Sequence, residues 1–260
     1  MTARVPRVTR SPVGALALVV ALGAAGCAAL GGDDATTPTS VPATTAPTTT
    51  TTTLPAAGEP PVYRPGAEGP EVAALQQRLV DMKYDLPAVD GHYGDETAHA
   101  VMAFQKVHGL ARDGLAGPET LETLASIAGD PLPLVPDGDP DRVEVDLARQ
   151  LVLLYQGGAL VKIVSASSGN GEEFCSEGRC RIARTPPGVY KVGHRQAGWQ
   201  SGPLGRLYNP LYFNGNIALH GSTSVPAGPA SHGCVRVPMH TAEWLPLAVP
   251  SGMRVYVVEG

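Results

Sequence analysis

The chain has 260 residues, 43% of them hydrophobic, with 19 Lys and Arg against 24 Asp and Glu, which is room for a core-bearing domain and a smaller companion. Its charge is divided: residues 28–141 carry 5 basic and 17 acidic side chains, residues 142–260 carry 11 and 7. An acidic front half and a mildly basic back half exclude nucleic acid as a partner; the back half suits a substrate bearing carboxylates, or is ordinary solvated surface.

Residues 1–27 stand apart from any fold. Arg4, Arg7 and Arg10 precede an uncharged apolar run, Val13 to Ala25, that is short for a membrane span and ends in small residues, as a secretory leader does. Ala24-Ala25-Gly26-Cys27 resembles a bacterial lipobox. That resemblance implies acylation of Cys27 and a lipid anchor on the outer face of the cytoplasmic membrane; the plainer alternative is cleavage near Cys27 without lipid. Taking three arginines and no acid from 19 and 24 leaves 16 against 24, a net of −8. Residues 28–62 form a Thr/Pro-rich tether, with six threonines from Thr48 to Thr53, that cannot bury a core and reaches roughly 33 Å as a flexible coil. Among the four cysteines, Cys175 and Cys180 lie in a Gly/Glu/Arg-rich loop. In an exported chain they are expected to form a small disulfide, since no nearby histidine completes a zinc site. Cys234 is left as an unpaired thiol.

The segment 63–129 repeats a pattern. Gly69-Pro70-Glu71, Gly94-Asp95-Glu96 and Gly117-Pro118-Glu119 each open a helix: glycine at the N-cap, proline or aspartate in first position, glutamate at the positive end. Apolar residues follow at helical spacing (Val72, Leu75, Leu79; Val101, Phe104; Leu121, Leu124), and Asp90-Gly91 and Asp113-Gly114 mark turns. The result is a three-helix bundle. Val72-Ala73-Ala74-Leu75-Gln76, Asp90-Gly91-His92-Tyr93-Gly94, Ala100 to Gln105 and Gly109-Leu110 resemble the peptidoglycan-binding domain family over residues 66–126, which implies a glycan or stem-peptide ligand. His92, His99 and His108 are taken as surface or packing histidines rather than metal ligands.

Prolines 131, 133, 136 and 140 make residues 130–141 a linker. Beyond it the texture is that of strands: Val143 to Leu147 alternates, Leu151 to Tyr155 is a buried run, Gly157-Gly158 turns to Leu160–Ala166, and Val189–Val192, Ile217–Leu219 and Val255–Val258 follow. Only His240 to Leu247 reads as helical. The fold class is multidomain α plus β, a small helical bundle followed by a mostly β domain over 142–260.

The chemistry gathers in Ile217-Ala218-Leu219-His220-Gly221 and Ser231-His232-Gly233-Cys234-Val235-Arg236. A thiol attacks as thiolate and needs a base or a positive neighbour to lower its pKa; His220, at a strand end, can supply one. The Gly221 carbonyl is free to hold the second ring nitrogen, and Gly233 permits a tight turn whose N–H, with that of Cys234, faces a developing oxyanion. His220, His232 and Cys234 also make three conceivable zinc ligands, but no fourth ligand is visible. These residues closely resemble the L,D-transpeptidase catalytic domain of YkuD type over 142–258. Ser168-Gly169, Thr185-Pro186-Pro187-Gly188-Val189-Tyr190 and Asn209-Pro210-Leu211-Tyr212-Phe213 support the match, and the Cys175–Cys180 stretch departs from it. The resemblance implies Cys234 as nucleophile, His220 as proton acceptor and donor, Gly221 as its orienter, His232 and Ser231 in support, and Arg236 against a substrate carboxylate or the loop itself. Tyr212 and Asn209 are expected at the substrate.

The implied reaction joins two peptidoglycan stems through a Cys234 thioester, releases D-alanine, needs no metal or organic cofactor, and is open to acylation by carbapenems. The same site with water would be an L,D-carboxypeptidase, and with a protein amine an anchoring enzyme. A zinc peptidase and a non-catalytic wall-binding lipoprotein are the rivals from other classes. The expected partners are wall stem peptides and glycan, with the membrane reached through the lipid, no nucleic acid, and a monomeric chain.

Overall fold

The computed structural model describes residues 60–259; Cys27, the leader and most of the tether lie outside them. Among the described residues no helix is long and apolar enough to cross a membrane. Three helices come first: α1 (Pro70–Asp81), α2 (Asp95–His108) and α3 (Pro118–Ser126). Gly69, Gly94 and Gly117 occupy the N-caps and bring no side-chain hydrogen bond. Proline at the start of α1 and α3, and acids in each first turn, set the helix starts instead. Gly109, at φ +70°, ends α2 in the left-handed conformation. Two buried glutamines pin the turns that the sequence repeats. Gln76 Nε2 donates to Asp90 Oδ1 and Thr97 Oγ1 while its Oε1 accepts from Gly91 N; Gln105 does the same with Asp113, Thr120 and Gly114.

The back half holds two sheets. One, ordered β3-β2-β1-β11-β6, is built from β1 (Arg142–Asp146), β2 (Leu151–Gln156), β3 (Ala159–Ser165), β6 (Gly188–Lys191) and β11 (Arg254–Val258). The other, ordered β10-β9-β8-β7, comprises β7 (Trp199–Gly202), β8 (Gly205–Asn214), β9 (Ile217–Gly221) and β10 (Val235–Val237). A separate hairpin of β4 (Glu173–Ser176) and β5 (Arg179–Ile182) stands beside them, and α4 (Met239–Ala248) packs against β8 and β9. The stretch around Cys175 and Cys180, expected as a loop, is therefore a strand pair. The two cysteines face each other across it and are disulfide-bonded.

The run Leu151 to Tyr155 is apolar throughout because both its faces are buried. Val152 and Leu154 join the core between the sheets with Leu219, Val235 and Leu245. Leu151, Leu153 and Tyr155, with Leu160 and Ile163 of β3, share a second core with Leu79, Tyr84 and Phe104 of the helical segment. The helices thus cover the outer face of the first sheet. Their chain also pairs with its edge: Asp85 N donates to Ile163 O and Ile163 N to Lys83 O, each at 2.9 Å, which closes an edge that would otherwise be open to pairing. The stretch expected as a plain linker is pinned as well. Leu134 N and Val135 N donate to the fully buried Glu144, which also holds Arg142.

Asp85 fastens this junction. Its buried carboxylate accepts hydrogen bonds from Thr241 Oγ1 at 2.6 Å and Trp244 Nε1 at 3.2 Å, both on α4, with Lys162 Nζ at 3.6 Å and His240 Nε2 at 3.3 Å. Burial pushes its pKa up, but the bonds from His240 and Thr241 and the charge of Lys162 outweigh burial and hold it below the ordinary carboxylate value. A depressed folded-state pKa contributes stability above the unfolded value, and that stability is lost as pH falls through the folded one. Asp85→Ala is therefore expected to remove about 2–4 kcal/mol at pH 7, measured by urea unfolding, by leaving buried donors without an acceptor. The difference between variant and wild type should shrink below about pH 4; an unchanged urea midpoint would rule the contact out as a fastening.

Candidate active site

Strands β9 and β10 run parallel with Val235 opposite Leu219 and Arg236 opposite His220. Alternation along the pair sends Leu219, Val235 and Val237 into the core. It leaves His220 and Arg236 on the other face, where residue 234 follows at the next same-face position. His220 is 5% exposed, and its Nδ1 lies 2.9 Å from the Gly221 carbonyl. A carbonyl only accepts, so Nδ1 carries the proton and Nε2 keeps its lone pair in the neutral ring. Gly221 admits no larger residue, since a Cβ there would lie 2.7 Å from the Ala242 Cβ.

The loop from Ser231 to Cys234 is tightly braced. Buried Ser231 donates through Oγ to Cys234 O and accepts from Gly233 N at 3.0 Å. Thr185 Oγ1 donates to Gly233 O at 2.7 Å and accepts from Gly169 N at 3.0 Å. Gly233 has φ +134°, and a Cβ on it would come 2.9 Å from Arg184 O, so glycine is required there. These bonds correct one expectation: the Gly233 amide is spent on Ser231 and does not face the cleft. The Cys234 amide carries no backbone hydrogen bond, and its thiol donates weakly to Asn216 O at 3.6 Å.

Charge at the site also differs from the expectation that the base lowers the thiol pKa. Burial draws His220 down to about 4; the Gly221 hydrogen bond opposes this and the Arg236 charge adds to it. Burial raises the Cys234 thiol above its ordinary value, against the pull of the Ala218 backbone and Arg236. Both shifts favour the neutral thiol and the neutral imidazole. Arg236 has no carboxylate within salt-bridge distance among the described residues.

The other named residues fall in different places. The exposed His232 ring meets Phe174 of the β4–β5 hairpin in a tilted contact at 4.8 Å, and no three His, Cys, Asp or Glu side chains among the described residues gather as a metal-binding group. Tyr212 lies within the field of Cys234: burial first, then the Cys234 charge, raises its pKa. Asn209, expected at the substrate, braces the fold around it. Its Oδ1 accepts from Gly198 N and its Nδ2 donates to Ala242 O, while its backbone sits at φ +46°. His92 is exposed beside Glu68, and His108 packs on Phe104 at 4.3 Å. Thr185 is a brace whose Thr-Pro-Pro-Gly motif was visible but carried no role. Gln150 and Ser168, described below, had no signal of their own beyond Ser168-Gly169.

Comparison with known proteins assigns both regions. Residues 140–257 match the family described as the L,D-transpeptidase catalytic domain, and residues 68–124 match a peptidoglycan binding domain. The crystal structure of an L,D-transpeptidase from Xylanimonas cellulosilytica is 43% identical, covers 79% of this chain and 100% of its own, and superposes with a TM-score of 0.72. The N-acetylmuramoyl-L-alanine amidase CwlM of Mycobacterium tuberculosis is 50% identical over 56 residues, 22% of this chain and 14% of the amidase. CwlL of Bacillus licheniformis is 46% identical over 68 residues, 25% of this chain and 19% of its own length. The chain thus spans a fifth or less of these amidases, and the likeness lies in the peptidoglycan-binding segment. Because it covers the whole of a solved L,D-transpeptidase chain at 43% identity, the chain belongs to the L,D-transpeptidase family.

Proposed function

We propose that the protein is a peptidoglycan L,D-transpeptidase that forms three-to-three cross-links through a thioester on Cys234. The observation that carries this is the β9–β10 register, which sets His220, with its Nε2 lone pair free, on the face that residue 234 shares. As Cys234 Sγ attacks the carbonyl of the third stem residue, the thiol proton passes to His220 Nε2. The C–N bond to terminal D-alanine then breaks, and the same proton goes to the departing amine. A side-chain amine of a second stem attacks the thioester, gives its proton to His220, and displaces the Cys234 sulfur, which takes the proton back. The Cys234 amide suits a developing oxyanion, and Arg236, without a carboxylate partner, suits a stem carboxylate. Thr185, Ser231 and Gly233 hold the loop in place. Residues 63–129 would meet glycan or stem peptide, and the domain bounds, the Cys27 lipid anchor and a place on the outer face of the cytoplasmic membrane complete the proposal.

With a disaccharide-tetrapeptide, the purified protein is expected to release D-alanine and form dimers by mass spectrometry. Cys234→Ala should abolish both; no acyl-enzyme on the Cys234 peptide would sink the proposal. Monomer that loses D-alanine without dimer formation would instead indicate water as the acceptor.

The neutral resting pair gives a second test. His220, with its pKa near 4, carries no charge at neutral pH, and the Cys234 thiolate forms only above the ordinary thiol range. Alkylation of Cys234 by iodoacetamide, followed on its own peptide, should therefore rise about tenfold per pH unit through neutrality without levelling off below pH 8. A plateau between pH 5 and 8 would mean a standing thiolate–imidazolium pair.

A further inference from the structure

Lys106, on α2, is 1% exposed, yet no carboxylate accompanies it. Its Nζ donates to Gln150 O at 3.1 Å, Ser165 Oγ at 2.9 Å and Ala166 O at 2.9 Å. Three donors meeting three oxygens is the full capacity of an ammonium, and all three oxygens belong to the β domain. Burial, with Arg112 adding to it, pulls the Lys106 pKa down to about 7, so desolvation works against a cation in this place. Plain packing between helix and sheet would be served better by an apolar side chain.

What the ammonium holds is informative. Gln150 lies at φ +61°, a left-handed backbone that a non-glycine residue keeps only when its surroundings impose it. Its carbonyl is bound by Lys106 and by Ala166 N. Its side chain brackets Ser168, with Ser168 N donating to Oε1 at 2.7 Å and Nε2 donating to Ser168 Oγ at 2.9 Å. Ser168 O in turn accepts from Ala230 N and Ser231 N, each at 2.9 Å. Ser231 is the residue whose hydroxyl ties Gly233 N and Cys234 O together. Lys106, Gln150, Ser168 and Ser231 are all buried, so water offers none of these groups a substitute partner.

We propose that Lys106 is a positioning residue for the Ser231–Cys234 loop, acting through Gln150 and Ser168, so that the helical domain is part of the catalytic apparatus rather than only a wall-binding module. The effect on turnover rests on the Cys234 chemistry proposed above; the effect on the loop does not. Lys106→Met keeps the apolar stem and removes the three bonds. With Gln150 released, the loop loosens, the thiol is less buried, and the geometry for attack is lost.

The test compares wild type, Lys106→Met, Ser165→Ala and, as a control on the exposed surface, Lys191→Met, well below their melting temperatures. For Lys106→Met, D-alanine release should fall on the order of tenfold in kcat with KM little changed. Iodoacetamide alkylation of Cys234 at pH 7 should rise about threefold or more as burial of the thiol is relieved. Ser165→Ala, which removes one of the three acceptors and leaves the lysine, should move both readouts the same way by a smaller factor, and serves alone if Lys106→Met does not fold. Lys191→Met should leave both unchanged. A lowered melting temperature with kcat and alkylation rate both within twofold of wild type would overturn the proposal and make Lys106 a structural contact only. If wild type alkylates but never forms an acyl-enzyme, the thioester chemistry fails, and the alkylation rates still decide whether Lys106 positions the loop.

Discussion

Parallel pairing of β10 with β9 over Val235–Val237 and Leu219–Gly221 sets everything at the site. A parallel ladder fixes which residues share a face, and a slip of one position would turn Arg236 into the core and Val235 out of it. Because the apolar residues of both strands are needed in the core, the register cannot drift without burying a guanidinium. His220 and the approach to Cys234 are therefore placed by hydrophobic selection, before any catalytic contact is made. The bracing hydrogen bonds act on what the ladder leaves free. Ser231 and Thr185 hold a turn whose glycine sits at φ +134°, and the bonds are made inside a closely packed wall against the Arg184 carbonyl.

Burial that secures this geometry also decides the charge state. The desolvation that lowers the His220 pKa raises that of Cys234, so the two shifts move together and both oppose ionisation at rest. Arg236 favours the thiolate but disfavours imidazolium, so it does not support an ion pair between them. A neutral, partly buried thiol is protected from casual oxidation and alkylation, because the thiolate is the reactive form. In the proposed reaction this suits His220 to the part of a base rather than that of a standing counter-ion.

Much of this architecture was legible because it rests on local rules. The Gly-Pro-Glu and Gly-Asp-Glu starts give α1, α2 and α3 within a residue, and the β1, β2, β9 and β11 runs read directly from their apolar patterns. The elements that escaped have no such pattern. β4 and β5 are exposed along most of their length and present Glu, Ser and Arg, so neither alternation nor a buried run marks them. β8 contains Asn209 in the left-handed region followed by Pro210, and its register shifts there against β9, which reads in sequence as a turn. The bracing role of Asn209 was equally hidden: its place in the Asn209-Pro210-Leu211-Tyr212-Phe213 segment does not announce that its amide holds Gly198 and α4. Lys106 and Gln150 were silent because a lysine on a helix is ordinarily solvated, and nothing local announces a buried acceptor set on a different domain.

That last failure bears on how domain boundaries should be understood here. Composition divides the chain at residues 130–141, yet the helical core continues into Leu151, Leu153, Tyr155 and Ile163, and the backbone of Lys83–Asp85 pairs with β3. A joint of this kind differs from a flexible tether, for which ligand binding by one module only raises the effective concentration of the other. When two modules share a core, a pull or a contact on the helices is felt by the sheet beneath Ser168. A shared core instead fixes the orientation of the helices on the sheet that carries Gln150 and Ser165.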